Sequence, residues 1–146
     1  MYKHILVPTD GSTLSVKAIK VATRLARTCG AKLTGLSVIP PNPMPIYAES
    51  MTYGVAPRNF KEMWQKQAKK ALAVVKIEAE TSGVQASTMS LTADQPWRAI
   101  ISAARSKRCD LIVMASHGRR GLSALLLGSE TAKVLTHSKV PVLVCR

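Results

Sequence analysis

Apolar and polar positions along the chain fall into two alternating kinds of segment. Ile5-Leu6-Val7 is a short apolar run that ends in Pro8-Thr9-Asp10-Gly11-Ser12. After it, Leu14, Ala18, Val21, Leu25 and Cys29 recur every three or four residues, which predicts a helix face. Gly30 is placed to close that helix. Lys32 to Ile39 predicts a second strand. Pro40, Pro41, Pro43 and Pro45 prevent regular structure, so residues 40–57 are expected to form a long connection. Helical spacing returns from Arg58, with Phe60, Trp64, Ala68, Ala71, Val75 and Ala79 on one face and an end near Ser82-Gly83. Val84 to Leu91 predicts a third strand. Asp94 is placed to cap the next helix, with Pro96 in its first turn. Trp97, Ile100, Ile101 and Ala104 make its inner face. Leu111 to Ala115 is a continuous apolar run, as in a strand covered on both faces. A polar, glycine-bearing loop follows, then a helix from about Gly128 to Thr136. Val140 to Val144 closes the series as a fifth strand.

Strictly alternating strands and helices without an internal repeat imply a doubly wound α/β fold. The expected architecture is a single domain over residues 1–146, with a five-stranded parallel sheet, helices on both faces and right-handed crossovers. Sheets of this kind bind ligands beyond the carboxyl ends of their strands, where the strand order reverses.

Composition narrows the class. The chain has 146 residues, enough for one real core, and 47% apolar residues exclude a disordered chain. No apolar run approaches the roughly 18 residues of a membrane span. The first residues lack a signal-peptide layout, because their apolar stretch is short and Asp10 follows at once. The expectation is a cytoplasmic protein without membrane attachment. Cys29, Cys109 and Cys145 are far apart and form no CxxC, so neither a disulfide framework nor a zinc site is implied. Twenty-one basic residues face eight acidic ones, a net charge of +13. Such a field attracts nucleotides, nucleic acid or anionic surfaces alike. Its residues are dispersed in runs such as Lys17, Lys20, Arg24 and Arg27, which suits solvated helix faces. With few aromatics free to stack on bases, nucleic acid is not the expected partner.

Two strand ends carry unusual loops: Pro8 to Ser12, and Ser116-His117-Gly118-Arg119-Arg120-Gly121. Gly128-Ser129-Glu130-Thr131 then opens a helix. Glycines let backbone N–H groups approach a phosphate, and a helix N-terminus adds unpaired donors. Ser129 and Thr131 add hydroxyls at the same turn. Plain capping by Ser129 explains the same residues without a ligand. The Walker motif GxxxxGK[ST], the dinucleotide fingerprint GxGxxG and a GxSxG elbow are all absent. His4, His117 and His137 form no metal cluster by spacing, although His117 lies inside the glycine loop. Asp10 has two readings: a ligand for a metal-bound phosphate or ribose hydroxyl, or a turn-forming cap in Asp10-Gly11-Ser12.

The run from Ile5 to Ser12, the segment Asp110 to Gly118 and the terminal Val140-Pro141-Val142-Leu143-Val144 together resemble the universal stress protein family, in its nucleotide-binding branch. The family signature has two glycines separated by two residues, then nine residues, then Gly-Ser or Gly-Thr. Gly118 takes the second glycine position, Arg119 to Leu127 supply the nine, and Gly128-Ser129 complete the match. Ala115 stands at the first glycine position. The resemblance implies ATP or another adenine nucleotide as ligand. It places Pro8, Thr9 and Asp10 against the adenosine, with Asp10 near the ribose or a magnesium ion carried by the nucleotide. It places Val38 at the adenine, Met114 and Ala115 beside the ribose, and His117, Gly118, Gly128, Ser129, Glu130 and Thr131 around the phosphates. It also implies a homodimer through Val140 to Val144.

The expected function is that of an ATP-binding stress-response switch or sensor. Without a P-loop lysine or a placed general base, no catalytic residue is assigned, and slow hydrolysis with a metal at Asp10 is the most these residues offer. The rival reading, motivated by Ala115 and the +13 charge, is a family member that binds no nucleotide and serves as a protein or nucleic-acid interaction module.

Overall fold

The computed structural model describes residues 1–41, 59–119 and 127–146. The predicted connection over 40–57 lies almost wholly outside the described residues, as do Arg120 and Gly121. Five strands and four helices alternate: β1 (His4–Pro8), α1 (Thr13–Cys29), β2 (Lys32–Ile39), α2 (Phe60–Thr81), β3 (Ala86–Thr92), α3 (Pro96–Ser106), β4 (Leu111–Ala115), α4 (Ser129–His137) and β5 (Val142–Cys145). All pairs are parallel, in the order β3-β2-β1-β4-β5. The expected doubly wound sheet is therefore the observed one. The chain runs outward from β1 to β2 and β3, then returns to build β4 and β5 on the other side. The order reverses between β1 and β4.

Alternation along the buried strands divides the core into two layers. Ile5, Val7, Leu111 and Val113 pack with Ile19, Ala22 and Ala26 of α1 and Val75 and Ala79 of α2. Leu6, Ile112 and Met114 pack on the opposite face with Ile100, Ala103 and Ala104 of α3 and Val134 of α4. A side chain as large as Leu6 or Ile112, fully removed from water, contributes about 1.5–3 kcal/mol. Cys109 belongs to this second layer. Its burial, together with the Asp110 carboxylate, raises its thiol to about 11, against a smaller opposing pull from Lys107.

Several expectations shift by a few residues. The inner face of α1 is Ser15, Ala18, Ile19, Ala22, Thr23 and Ala26, whereas Val21 is 37% exposed. Small residues win that face because they let the helix lie close to the sheet. On α3, Ala99 and Ala103 are buried beside Ile100 and Ala104, while Trp97 and Ile101 lie at the rim. Gln95, not Asp94, is the N-cap of α3, and it makes no side-chain bond there. The amide of Trp97 is instead taken by Oε2 of Glu130, at 2.9 Å, from across the helix pair. Strand β3 starts two residues later than predicted. Strand β5 covers Val142 to Cys145 rather than Val140 to Val144, because Ser138 turns the chain by bonding the N–H and the carbonyl of Val140.

Candidate functional site

The loops after β1 and β4 meet at the point where the strand order reverses, and one carboxylate joins them. Oδ1 of Asp10 accepts the N–H of Ser12 at 2.9 Å. Oδ2 accepts the N–H of Arg119 at 2.8 Å. Partial burial pushes the Asp10 carboxyl upward, but the bonds from Ser12 and Arg119 outweigh it, and the group lies below its ordinary 3.8. Asp10 thus acts both as the turn former of its own loop and as a latch to the opposite one. Each oxygen keeps a further lone pair, so neither bond bars a ribose hydroxyl or a metal-bound water.

The rest of the β1 loop is built to hold Asp10 there. Thr9 is buried, its N–H donates to the Leu36 carbonyl at 2.8 Å, and its hydroxyl bonds that of Ser15 at 3.0 Å. The same Thr9 hydroxyl accepts the N–H of Gly11, whose φ is +78°. Ser12 caps α1 by accepting the N–H of Ser15. Pro8 ends β1 opposite Leu36, and Val38 lies two residues further along the neighbouring strand, partly buried.

On the other side, Met114 and Ala115 are buried at the end of β4. Thr131 donates its hydroxyl to the Ala115 carbonyl at 2.9 Å, which pins the first turn of α4 to the strand tip. Gly128 donates its N–H to the Ser116 carbonyl at 2.7 Å. A Cβ on Gly128 would stand 3.0 Å from both Ser116 O and His117 Cα, so only glycine fits without moving backbone. A Cβ on Gly118 would stand 2.5 Å from Oδ2 of Asp10. Gly128 is therefore required by backbone within the chain, and Gly118 by the place the Asp10 carboxylate takes when it bonds Arg119, before any ligand is considered. His117 is half-buried and its Nδ1 meets the Ser116 hydroxyl at 3.1 Å.

α4 is open where α1 is closed. Its N-cap is Gly128, with no side chain to satisfy the first amides, whereas Ser12 does so for α1. Among the described residues the Ser129 hydroxyl makes no side-chain bond. Glu130 is engaged elsewhere: Oε2 holds the Trp97 amide and Oε1 meets Lys133 Nζ at 3.2 Å. Of the predicted phosphate residues, Gly118 and Ser129 have donors that no bond among the described residues takes, the Gly128 N–H is spent on Ser116, and the side chains of Thr131 and Glu130 fasten α4 to its neighbours. Ser15, Ser116 and Arg119 also hold the site together, and the sequence reading did not select them. The Ser116–Gly121 loop contained two of these, but their partners are remote in sequence.

Among the described residues no three His, Cys, Asp or Glu side chains cluster to hold a metal. Asp10 offers a magnesium ion a single carboxylate, so such an ion fits here only as one carried by a polyphosphate. A separate open groove of about 370 Å³ lies between α3 and α4, lined by Trp97, Arg98, Ile101, Ser102, Arg105 and His137. It shares no residue with the two loops. Its tryptophan ring already meets His137, at 4.6 Å between centroids, and the Arg98 guanidinium at 5.0 Å. No helix among the described residues is long and apolar enough to cross a membrane.

Residues 1–146 match the model of the universal stress protein family. Universal stress protein MJ0531 of Methanocaldococcus jannaschii is 33% identical over 146 residues, covering 100% of this chain and 83% of the relative. Universal stress protein YxiE of Bacillus subtilis is 34% identical over 152 residues, covering 100% of both. The solved structure of MJ0577, also from Methanocaldococcus jannaschii, superposes with a TM-score of 0.81 at 30% identity, over 99% of this chain and 96% of that one. Two solved universal stress proteins of the same fold, at 24% and 17% identity, are complexes with cAMP and dAMP, with TM-scores of 0.74 and 0.69.

Proposed function

The chain belongs to the universal stress protein family, and on that premise we propose that it is a cytoplasmic ATP-binding protein acting as a nucleotide-dependent stress-response switch or sensor. The observation that carries this reading is the uncapped first turn of α4, opening on Gly128 beside Gly118 at the reversal of strand order. A helix start whose first amides have no side-chain cap is an anion site when a glycine loop faces it. The complexes of two structural relatives with cAMP and dAMP support adenine as the base.

In this reading Pro8, Thr9, Asp10 and Val38 bound the adenosine, and Met114 and Ala115 close its floor. Gly118 and Ser129 donate to the phosphates, and Gly128, held to Ser116, leaves room for them at the start of α4. A magnesium ion, supplied with the nucleotide, would neutralise phosphate charge next to Asp10. The chain's own part is to bind and orient. Among the described residues none is placed as a base for water, and in this reading hydrolysis is at most slow. The free edge of β5 serves for pairing with a second copy of the chain.

Titration calorimetry with ATP and magnesium tests the site. The expected result is saturable binding that Gly128→Val abolishes, because its side chain would press on the Ser116–His117 backbone. No heat at millimolar ATP would overturn the reading and favour an interaction module instead.

A further inference from the structure

Arg119 leaves the tip of β4 and its side chain crosses to the other loop. Its backbone N–H is held by Asp10 at 2.8 Å. Its Nη2 lies 3.0 Å from where a Cβ on Gly11 would stand. Its Nη1 donates to Oε1 of Gln67 on α2 at 3.3 Å. The guanidinium therefore spans the mouth between the two loops, resting on Gly11 and reaching α2. No carboxylate pairs with it, since the one ion pair among the described residues is Lys133–Glu130. Asp10 is turned to backbone amides, one of them Arg119's own. α1 begins two residues after Gly11 and has no acidic residue in its first turn.

A guanidinium carries five donors in a rigid fork and stays charged at every working pH. Here it makes one long bond to a neutral amide. Bonds from arginine to phosphate are shorter, about twice as strong, and take two oxygens at once. An anion reaching the mouth would displace Gln67 from Arg119 with little opposition. The anchored backbone of Arg119 is one residue from Gly118, so its side chain leads from a proposed phosphate donor out to the mouth at Gly11 and Gln67.

We infer that Arg119 sets the length of phosphate chain this site prefers. It engages the outermost phosphate of a nucleoside di- or triphosphate, while the nucleoside and first phosphate are left to the backbone at Gly118 and the first turn of α4. This rests on the adenine-nucleotide reading above.

The test compares calorimetric affinities for ATP, ADP and AMP in the wild type, Arg119→Ala and Arg119→Lys. The wild type is expected to favour ATP over AMP. Arg119→Ala should weaken ATP by about ten- to a hundred-fold and AMP by less than about twofold, so AMP also reports that the variant is folded. The salt dependence of ATP binding should flatten in the same variant, because a charge contact has gone. Arg119→Lys keeps the charge but loses the fork and should fall between. Equal losses for ATP and AMP, an unchanged ATP affinity, or a wild type indifferent to phosphate number would each overturn the inference while leaving the nucleotide reading intact. A wild type that binds none of the three overturns both.

Discussion

The Oδ2 atom of Asp10 stands 2.5 Å from the place a Cβ at position 118 would occupy. That distance gives the second signature glycine a cause inside the protein. Gly118→Ala would drive the new methyl into the carboxylate and break its bond to the Arg119 amide. The expected cost is about 1–3 kcal/mol, as for the loss of a hydrogen bond to a charged group, read as a lower urea midpoint. ATP affinity should fall as well, because the two loops lose their latch. Wild-type stability in the Gly118→Ala variant would show that the loops tolerate separation. The spacing of Gly118 and Gly128-Ser129 was legible in the sequence. The reason for it was not, because Asp10 and Arg119 are 109 positions apart.

Among elements, the strands were easiest to read, because runs covered on both faces are continuously apolar. Helix faces were harder. On α1 the apolar spacing leads through Ala18 to the larger Val21 and Leu25, while the sheet keeps Ala18 and adds Ala22 and Ala26. The start of α3 at Pro96 was legible from that proline, but its cap was not, since the Trp97 amide is satisfied by Glu130 of α4. Strand β5 raises a question of its own. Among the described residues it pairs with β4 on one side only, and Leu143 is 39% exposed. Pro141 and Cys145 offer their carbonyls to β4, accepting from Ile112 and Ser116, so Val142 and Val144 present their backbone to the open edge. An unprotected apolar edge invites another strand. Light scattering should find about twice the mass of the 15.7 kDa chain. Val144→Pro, which removes an edge donor without touching the β4 ladder, should return the monomer. A monomeric wild type at tens of micromolar would end the dimer proposal.

Across the whole molecule, two carboxylates hold the ends of β1 and β4 together. Asp10 latches the tips. Asp110 accepts the N–H groups of Lys3 and His4, at 2.8 and 3.0 Å, where β1 begins. Burial pushes the Asp110 carboxyl up, but the bonds from His4 and Lys3 prevail, and it too lies below 3.8. A carboxyl lowered by folding stabilises the native state above its unfolded value. That contribution is lost as pH falls through the folded one. The urea midpoint should therefore hold from neutrality to about pH 5 and drop below 3.8. Asp110→Asn should lower it at pH 7 and shallow the acid decline. A midpoint indifferent to pH between about 5 and about 3 would contradict this account.

The order of elements, the parallel sheet and the two glycine-bearing strand ends were determined by the sequence alone, because each depends on periodicity and turn chemistry within a few residues. Tertiary structure decided how those ends are joined. It brought Asp10 to the Arg119 amide, Thr131 to the Ala115 carbonyl, Glu130 to Trp97 and the Arg119 guanidinium to Gln67. Each of these bonds depends on a polar side chain finding a partner remote in the chain, and no local pattern encodes which partner that will be.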